Sequence, residues 1–269
     1  MHPFFDVPRP VVIGHRGAAG IRPENTLLSF ETGLEQGAGI LESDVQITRD
    51  GVPILLHDPS VDRTTEGKGS TQQLDLADLR RLDAGHAFRD ETGATPFRGR
   101  GLRIPTLEEA FEAFPDARFN LELKTDDPRA TAATLDLVQR FDRAERTLLT
   151  AGEDDVMRIL REALVEHEVV PAMGACLAEI VRAVQGATDG SPMAEGVMAL
   201  QIPATFGDRP LVSRELVQYA HAFGVSIHVW TINDLHEIES LLALGVDGIV
   251  TDHPGRMAQW LQRDLSDQS

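Results

Sequence analysis

Short apolar segments rich in β-branched residues alternate with helical patterns along almost the whole chain. This alternation is typical of repeated βα units around a parallel sheet, because a crossover helix must separate two parallel strands. Nine segments have the composition of strands, one more than an eight-stranded barrel contains. They lie at residues 11–15, 40–47, 53–57, 119–124, 147–150, 169–174, 197–202, 225–231 and 248–251.

The Asp50-Gly51 pair identifies the surplus segment. This dipeptide is a strong hairpin signal, and two strands joined by a tight turn must run antiparallel. Residues 53–57 are therefore predicted to fold back as an arm, which leaves eight parallel strands and an α/β fold of the (β/α)8 (TIM) barrel type. The first predicted helix has Asn25 as its N-cap. The predicted helices span residues 25–36, 106–114, 128–141, 154–166, 177–185, 213–223, 234–244 and 255–265.

The chain length of 269 residues fits one barrel of about 250 residues. We therefore predict a single domain over residues 1–269. Residues 59–103, between the arm and the second helix, are rich in glycine and charged side chains. Because connections of this length usually carry a function, we expect a small insertion over the barrel mouth.

Acidic residues outnumber basic ones, with 43 Asp and Glu against 25 Lys and Arg and a formal charge of −18. This balance argues against a nucleic-acid partner and against an extended surface for anionic membranes. A small anionic substrate would need a local cluster of positive charge. The lone cysteine, Cys176, excludes an intrachain disulfide.

The first ten residues carry three prolines and no apolar segment of signal-peptide length. Nowhere do 18 uncharged apolar residues follow one another. We therefore expect a cytoplasmic location without stable membrane insertion. The oligomeric state is left open by the sequence.

Two strand segments carry carboxylates on one face. Side chains alternate across a strand, so Glu42 and Asp44 share a side, as do Glu122 and Lys124 on the segment 119–124. Carboxylates that meet at a barrel mouth repel unless they are protonated or neutralised, and a hard divalent cation is the common solution. We therefore predict Mg²⁺ or Ca²⁺, with Mn²⁺ as a further candidate. An ion-pair network between Glu122, Lys124 and an arginine is the alternative.

Two histidines have charged neighbours at strand ends. His15 ends the first strand and is followed by Arg16 and Gly17. A hairpin centred between residues 50 and 51 would place His57 opposite Asp44. Both histidines are therefore predicted to flank the proposed cation.

Eight short motifs occur along the chain in the order seen in glycerophosphodiester phosphodiesterases, and the sequence resembles that family over nearly its whole length. The resemblance is weakest in residues 145–205, and Ile232 stands where valine is frequent. The motifs are His15-Arg16-Gly17, Pro23-Glu24-Asn25-Thr26, Glu42-Ser43-Asp44-Val45, Asp50-Gly51 with His57-Asp58, Pro105-Thr106-Leu107, Glu122-Leu123-Lys124, Trp230-Thr231-Ile232-Asn233 and Gly245-Val246-Asp247-Gly248-Ile249-Val250-Thr251-Asp252.

The resemblance implies hydrolysis of a small anionic phosphodiester to sn-glycerol 3-phosphate and an alcohol, in which the neighbouring hydroxyl of the glycerol attacks first to give a cyclic phosphate. Trp230, on the inward face of its strand, is predicted to contact the glycerol or the leaving alcohol, with a core aromatic as the equal alternative. The roles implied for the other residues are metal ligation by Glu42, Asp44 and Glu122, acid/base catalysis by His15 and His57, and phosphate contact by Arg16 and Lys124.

Residues around this set receive weaker assignments. Asp252 is expected to hold Arg16 or His15, Asn233 to orient a loop, and Glu24 to reach the cluster through Arg16 or water. His228 is expected to be a satisfied interior residue.

Two other functions remain open. A lysophospholipase D or sphingomyelinase D would need an apolar channel, which the segment 59–103, with Phe88 and Phe97 as its only aromatics, does not favour. A noncatalytic metal-binding barrel is the second alternative.

Overall fold

A nearly closed barrel of eight parallel strands lies at the centre of the computed structural model, which describes residues 2–167 and 169–267. Neighbouring strands pair in chain order, and the last strand pairs with the first, with Val12 opposite Ile249. A backbone hydrogen bond of 2.9 Å from Met198 to Met173 joins the two sides of the remaining opening. Helices lie between successive strands, so the predicted barrel is confirmed.

The barrel strands agree with the predicted segments, most of them to within two residues at each end. They are β1 (Val11–Gly14), β2 (Ile40–Ile47), β4 (Phe119–Leu123), β5 (Thr147–Thr150), β6 (Ala172–Met173), β7 (Ala199–Pro203), β10 (Ser226–Trp230) and β11 (Gly248–Thr251). Three short strands in the described chain lie outside this path, namely β3 (Pro53–Leu55), β8 (Thr205–Phe206) and β9 (Arg209–Pro210).

The helices cover the outside of the barrel, and the short α2 belongs to the insertion. The described α-helices are α1 (Leu27–Glu35), α2 (Leu76–Leu79), α3 (Leu107–Ala113), α4 (Pro128–Arg140), α5 (Asp154–Glu166), α6 (Leu177–Asp189), α7 (Arg214–Ala222), α8 (Leu235–Leu244) and α9 (Pro254–Asp267). Within the described residues, no helix combines the length and the apolar character needed to cross a bilayer.

The arm β3 pairs antiparallel with β2, as predicted, but the predicted register is wrong by one residue. Val45 lies opposite Leu55, so the sum of paired residue numbers is 100 and not 101. The turn has three residues between Thr48 and Val52 and ends with Gly51 at φ +83°. A left-handed glycine closing a three-residue loop is a common alternative to the two-residue turn. The backbone opposite Asp44 is therefore Leu56, which donates its N–H to the Asp44 carbonyl at 3.0 Å.

The N-cap of α1 is Thr26 and not Asn25. The Thr26 hydroxyl accepts a hydrogen bond from the backbone N–H of Ser29 at 3.1 Å. Asn25 instead has a left-handed backbone with φ +55°, a conformation that asparagine adopts more readily than most residues. This backbone turns the Asn25 side chain away from the helix and toward the barrel mouth.

The lower end of the barrel interior is filled by aromatic residues that precede the first strand. A 3-10 turn (Pro3–Phe5) places Phe4 and Phe5 in one buried cluster with inward-facing residues of six barrel strands. His228 lies in the same interior, with its ring 6.2 Å from that of Phe5. Two larger apolar clusters fill the space between strands and helices. The barrel is therefore a packed core, and its open space lies at the C-terminal ends of the strands.

The insertion 59–103 has a small core of its own, in which Val61 and Leu79 pack against Ile54 of the arm. Polar contacts connect it to the barrel mouth. Arg63 hydrogen bonds Glu24, and the Gln72 side-chain amide donates to the Thr125 hydroxyl at 2.8 Å. The assignment of the whole chain to one domain stays a prediction.

Candidate active site

All eight predicted site residues line one cavity of about 1000 Å³ at the C-terminal ends of the barrel strands. The strand parity used in the sequence argument explains the placement, because alternate side chains of β2 and β4 face the interior. The eight residues are His15, Arg16, Glu42, Asp44, His57, Glu122, Lys124 and Trp230.

Ion pairs connect the charged side chains at the floor of this cavity. Lys124 Nζ lies 2.7 Å from Glu122 Oε2 and 3.3 Å from Asp44 Oδ1. Arg16 Nε lies 3.2 Å from Asp44 Oδ2. The ion-pair network kept as the alternative to a metal site is therefore present. Within the described part of the chain, no three His, Cys, Asp or Glu side chains already form a group that could hold a metal ion.

Glu42 is the carboxylate that this network compensates least. It accepts a hydrogen bond from the backbone N–H of Arg16 at 2.9 Å, and its Oε2 lies 4.0 Å from His15 Nε2. Burial and the neighbouring charge of Asp44 raise the pKa of Glu42 to about 7. The carboxylates Glu42, Asp44 and Glu122 face the cations Arg16 and Lys124, and His15 adds a positive charge when it is protonated. Ionisation of Glu42 is therefore unfavourable in the absence of a further cation.

His15 belongs to a chain of hydrogen bonds that fixes its ring. Asp252 Oδ1 lies 2.6 Å from His15 Nδ1, and Asn233 Nδ2 donates to Asp252 Oδ2 at 2.7 Å. Burial alone lowers the pKa of His15, but the hydrogen bond to Asp252 and the charge of Glu42 raise it overall. The carboxylate thus holds Nδ1 and leaves Nε2 directed toward Glu42 and the cavity.

His57 forms a second histidine–aspartate pair. Its Nδ1 lies 2.7 Å from Asp58 Oδ1. Arg63 donates to the same Asp58 carboxylate and also to Glu24, which in turn accepts from Arg16 at 2.8 Å. The hydrogen bonds from Arg63 and His57 lower the pKa of Asp58 to about 2. His57 reaches the cavity because the chain leaves the strand after Leu55, so the wrong hairpin register did not remove it from the site.

Two residues of the site have left-handed backbones, which non-glycine residues rarely adopt. They are Arg16, with φ +46°, and Asn25. Each such conformation costs about 1 kcal/mol or more and persists where the surroundings enforce it. Gly17 adds a third special position, since a Cβ there would lie 2.5 Å from Ser29. The chain between β1 and α1 is thus bent tightly around the carboxylates.

Asn25, expected only at the start of a helix, also contacts the site. Its Nδ2 donates to Asp44 Oδ2 at 3.0 Å, and its Oδ1 accepts from the Ser43 hydroxyl at 2.7 Å. The expected contacts of Glu24 with Arg16 and of Asp252 with His15 are confirmed. The signals for Asn25 in the sequence were its place in the motif Pro23-Glu24-Asn25-Thr26 and the preference of asparagine for positive φ.

The cavity also has an apolar wall that the sequence argument did not anticipate. Leu177, Ile180, Val181 and Val184 of α6 line it, together with Phe206 of β8. Within the described residues, no member of the insertion 59–103 lines this cavity. The insertion borders a separate depression of about 360 Å³ with Ser70, Thr71 and Gln72. Because the insertion does not line the cavity, its polar composition does not count against an apolar channel, and a lysophospholipase D stays an open alternative.

A sequence profile of the glycerophosphoryl diester phosphodiesterase family matches residues 15–256, a range that contains every residue of the polar floor. This chain belongs to that family. A family member from Caldanaerobacter subterraneus subsp. tengcongensis, a glycerophosphodiester phosphodiesterase, is 31% identical over 252 residues, which cover 91% of this chain and 95% of the relative. The glycerophosphodiester phosphodiesterase of Bacillus subtilis is 31% identical over 254 residues, 91% of this chain and 84% of the relative.

Solved structures of the family share the barrel. The phosphodiesterase of Oleispira antarctica, solved in complex with the product sn-glycerol-3-phosphate, superposes with a TM-score of 0.77 at 27% identity. The superposition covers 94% of this chain and 97% of that protein.

Proposed function

We propose that this chain hydrolyses glycerophosphodiesters to sn-glycerol 3-phosphate and an alcohol, with proton transfer by His15 and His57 and with a divalent cation bound by Glu42, Asp44 and Glu122. The observation that carries the proposal is the placement of both histidines and all three carboxylates at one end of a single cavity. The family relationship supports the reaction type. The cytoplasmic location stays a prediction.

The chemistry of the carboxylates fits a hard divalent cation. All three offer oxygen donors, which Mg²⁺, Ca²⁺ and Mn²⁺ prefer. Burial and the charge of Asp44 raise the pKa of Glu42 to about 7, so a bound cation would favour its ionised form. A phosphodiester would add a further negative charge. When bound, the cation would neutralise charge on the phosphoryl oxygens and polarise the phosphorus for attack. Arg16 and Lys124 would then be able to contact the substrate phosphate in place of their present carboxylate partners.

The two histidines are suited to opposite proton transfers. One accepts the proton of the glycerol 2-hydroxyl while its oxygen attacks phosphorus, and the other donates a proton to the alcohol oxygen as the P–O bond to the alcohol breaks. The product of this step is a cyclic phosphate. Water then adds to phosphorus and opens the ring, with the proton transfers reversed. The described cavity lining contains no serine or cysteine nucleophile, so the attacking oxygen is expected to come from the substrate's own hydroxyl or from water. The hydroxyl has the advantage of an intramolecular attack.

A 2-deoxy analogue of glycerophosphocholine tests this route. Holding the hydroxyl beside phosphorus makes the attack intramolecular, so its removal should lower kcat by several orders of magnitude. The KM should change little because the analogue keeps the phosphate. The measurement is steady-state kinetics together with ³¹P NMR for the cyclic phosphate. Cleavage of the analogue at the parent rate, with ¹⁸O from water entering in the first step, would replace this route by direct attack of water.

The metal requirement is tested separately. Hydrolysis of glycerophosphocholine should be abolished by excess EDTA and restored by Mg²⁺, Mn²⁺ or Ca²⁺. Ala in place of Glu42, Asp44 or Glu122 should remove both the activity and the increase in Tm that the cation produces. Full activity in excess chelator would contradict the metal proposal. Cation binding without hydrolysis of any phosphodiester would favour the noncatalytic alternative.

A further inference from the structure

The cavity above the polar floor has a wall of exposed apolar side chains. Seven large apolar residues are exposed in the described part of the chain, and four of them line this cavity. The four are Leu177, Val181, Phe206 and Trp230, with Phe206 at 75% exposure. Soluble domains rarely group exposed apolar side chains in this way without a ligand or partner.

Helix α6 provides a continuous stripe of this wall. Leu177, Ile180, Val181 and Val184 follow the spacing i, i+3, i+4 and i+7, which places them on one face over a length of about 10 Å. That face lines the cavity. Another face of α6 packs against α7, where a Cβ on Gly186 would lie 2.3 Å from the Tyr219 hydroxyl. Ile180 and Val184 also pack against the apolar core that includes Leu216 and Val217 of α7. Leu177 and Val181 stay exposed, at 58% and 47%.

The size of the cavity also exceeds what the polar reaction requires. About 1000 Å³ lies at the upper end of the range for pockets that hold drug-sized ligands. The phosphate and the glycerol need contacts only with the charged floor. Outside the charged floor, one described polar residue of the lining carries a charge, Glu153. The others are Asn120, Thr150, Gln185, Gln201 and Thr231.

We propose that this apolar wall binds a hydrocarbon chain carried by the phosphodiester substrate, so that chain-bearing diesters are preferred over glycerophosphocholine. The inference rests on the proposed function, because the diester is held by the polar floor of the same cavity. Because the charged floor and the apolar wall line one cavity, a hydrocarbon chain attached to the bound diester can reach the wall. This hydrocarbon chain is attached either to the glycerol or to the alcohol of the substrate.

Two homologous substrate series distinguish these sources. One consists of short-chain 1-acyl lysophosphatidylcholines, and the other of glycerophospho-n-alkanols, all below the concentration at which they form micelles. In at least one series, kcat/KM should rise by about two- to fourfold for each added methylene, the range expected for partial to full burial of a CH₂ group. The series that shows the rise identifies the arm that carries the chain. A flat profile in both series overturns the proposal, and so does a rise that occurs only above micelle formation.

A pair of surface variants ties the effect to α6. The double variant Leu177→Asn with Val181→Asn should reduce the gain per methylene, while the control Val165→Asn, an exposed position on α5 outside the cavity, should keep it. An unchanged gain in the double variant overturns the proposal. Far-UV circular dichroism verifies that both chains are folded.

Binding of n-alkylphosphocholines, which lack the glycerol hydroxyl, keeps the two proposals apart. Calorimetric affinity should increase with chain length for the unaltered protein and less for the double variant. Increasing affinity without turnover of any diester supports the apolar subsite and contradicts the proposed function. Turnover of glycerophosphocholine with neither affinity nor kcat/KM depending on chain length supports the function and overturns the subsite.

Discussion

Replacement of His228 by leucine or by glutamine should flatten the acid side of the stability profile of this protein. His228 is 2% exposed in the barrel interior, and its Nδ1 has no hydrogen-bond partner in the described structure. Burial lowers the pKa of His228 to about 4. In the unfolded chain a histidine titrates near its ordinary pKa of about 6.5.

The direction and the size of the effect follow from these two values. Between about pH 6.5 and pH 4 the unfolded state binds the proton and the folded state does not, so the free energy of unfolding falls as the pH is lowered. Between pH 7.5 and 4.5 the loss due to His228 alone is about 2.5 kcal/mol. Leucine or glutamine at position 228 cannot titrate, so either one removes the histidine's share of the pH dependence. The share that comes from the carboxylates stays in place.

The assay is urea unfolding followed by circular dichroism at pH 7.5, 6.0 and 4.5. Both variants should lose about 2.5 kcal/mol less than the unaltered protein over this interval, whatever their stability at pH 7.5. The pair serves as its own control, because leucine and glutamine differ in polarity and packing but neither titrates. Parallel profiles for the unaltered protein and both variants would refute the reasoning. Flattening in only one variant would assign the effect to packing.

Further predictions concern the site. His15→Ala and His57→Ala should each lower kcat by about two to four orders of magnitude in initial-rate assays with cation binding retained, and near-normal turnover would return that residue to a structural role. Without divalent cations, Glu42→Gln should raise the free energy of unfolding at pH 8 by about 1–3 kcal/mol. The raised pKa of Glu42 means that its ionisation destabilises the fold as the pH rises from about 4.5 through 7. Urea unfolding in EDTA measures this difference, and an unchanged or lower free energy of unfolding would contradict it. Asp252→Asn should lower kcat more than it changes KM and shift the pH–rate limb of His15 to lower pH, because Asp252 raises the pKa of His15; an unchanged pH–rate profile would argue against the pair.

The polar floor was predictable because it depends on a local rule. Side chains alternate along a strand, so Glu42 and Asp44 had to share a face once β2 was identified. In a (β/α)8 barrel the C-terminal strand ends converge, which placed Glu122 and His15 near them. Both placements follow from strand alternation and barrel geometry alone, without knowledge of any contact between residues distant in sequence.

Other features depended on choices that the sequence leaves open. Asp50-Gly51 suits a two-residue turn and a three-residue turn with a left-handed glycine, and the difference shifts the register by one residue. The stripe at Leu177 and Val181 has the spacing of any amphipathic helix, so the sequence could not show that it faces a cavity instead of the core. His228 was expected to be satisfied, but whether its Nδ1 finds a partner depends on Phe5 and other interior residues distant in sequence.

The aromatic turn that fills the lower end of the barrel constrains the order in which the chain can fold. Phe4 and Phe5 pack against Leu148, Ala172 and Ala199, residues about 140 to 195 positions later in the sequence. Such contacts carry a large loop-closure cost and form late. During synthesis from the N-terminus, this aromatic pair therefore stays exposed until most strands have been made. The aromatic pair is synthesised before every strand that buries it, so we expect nascent chains that end before β7 to be prone to aggregation.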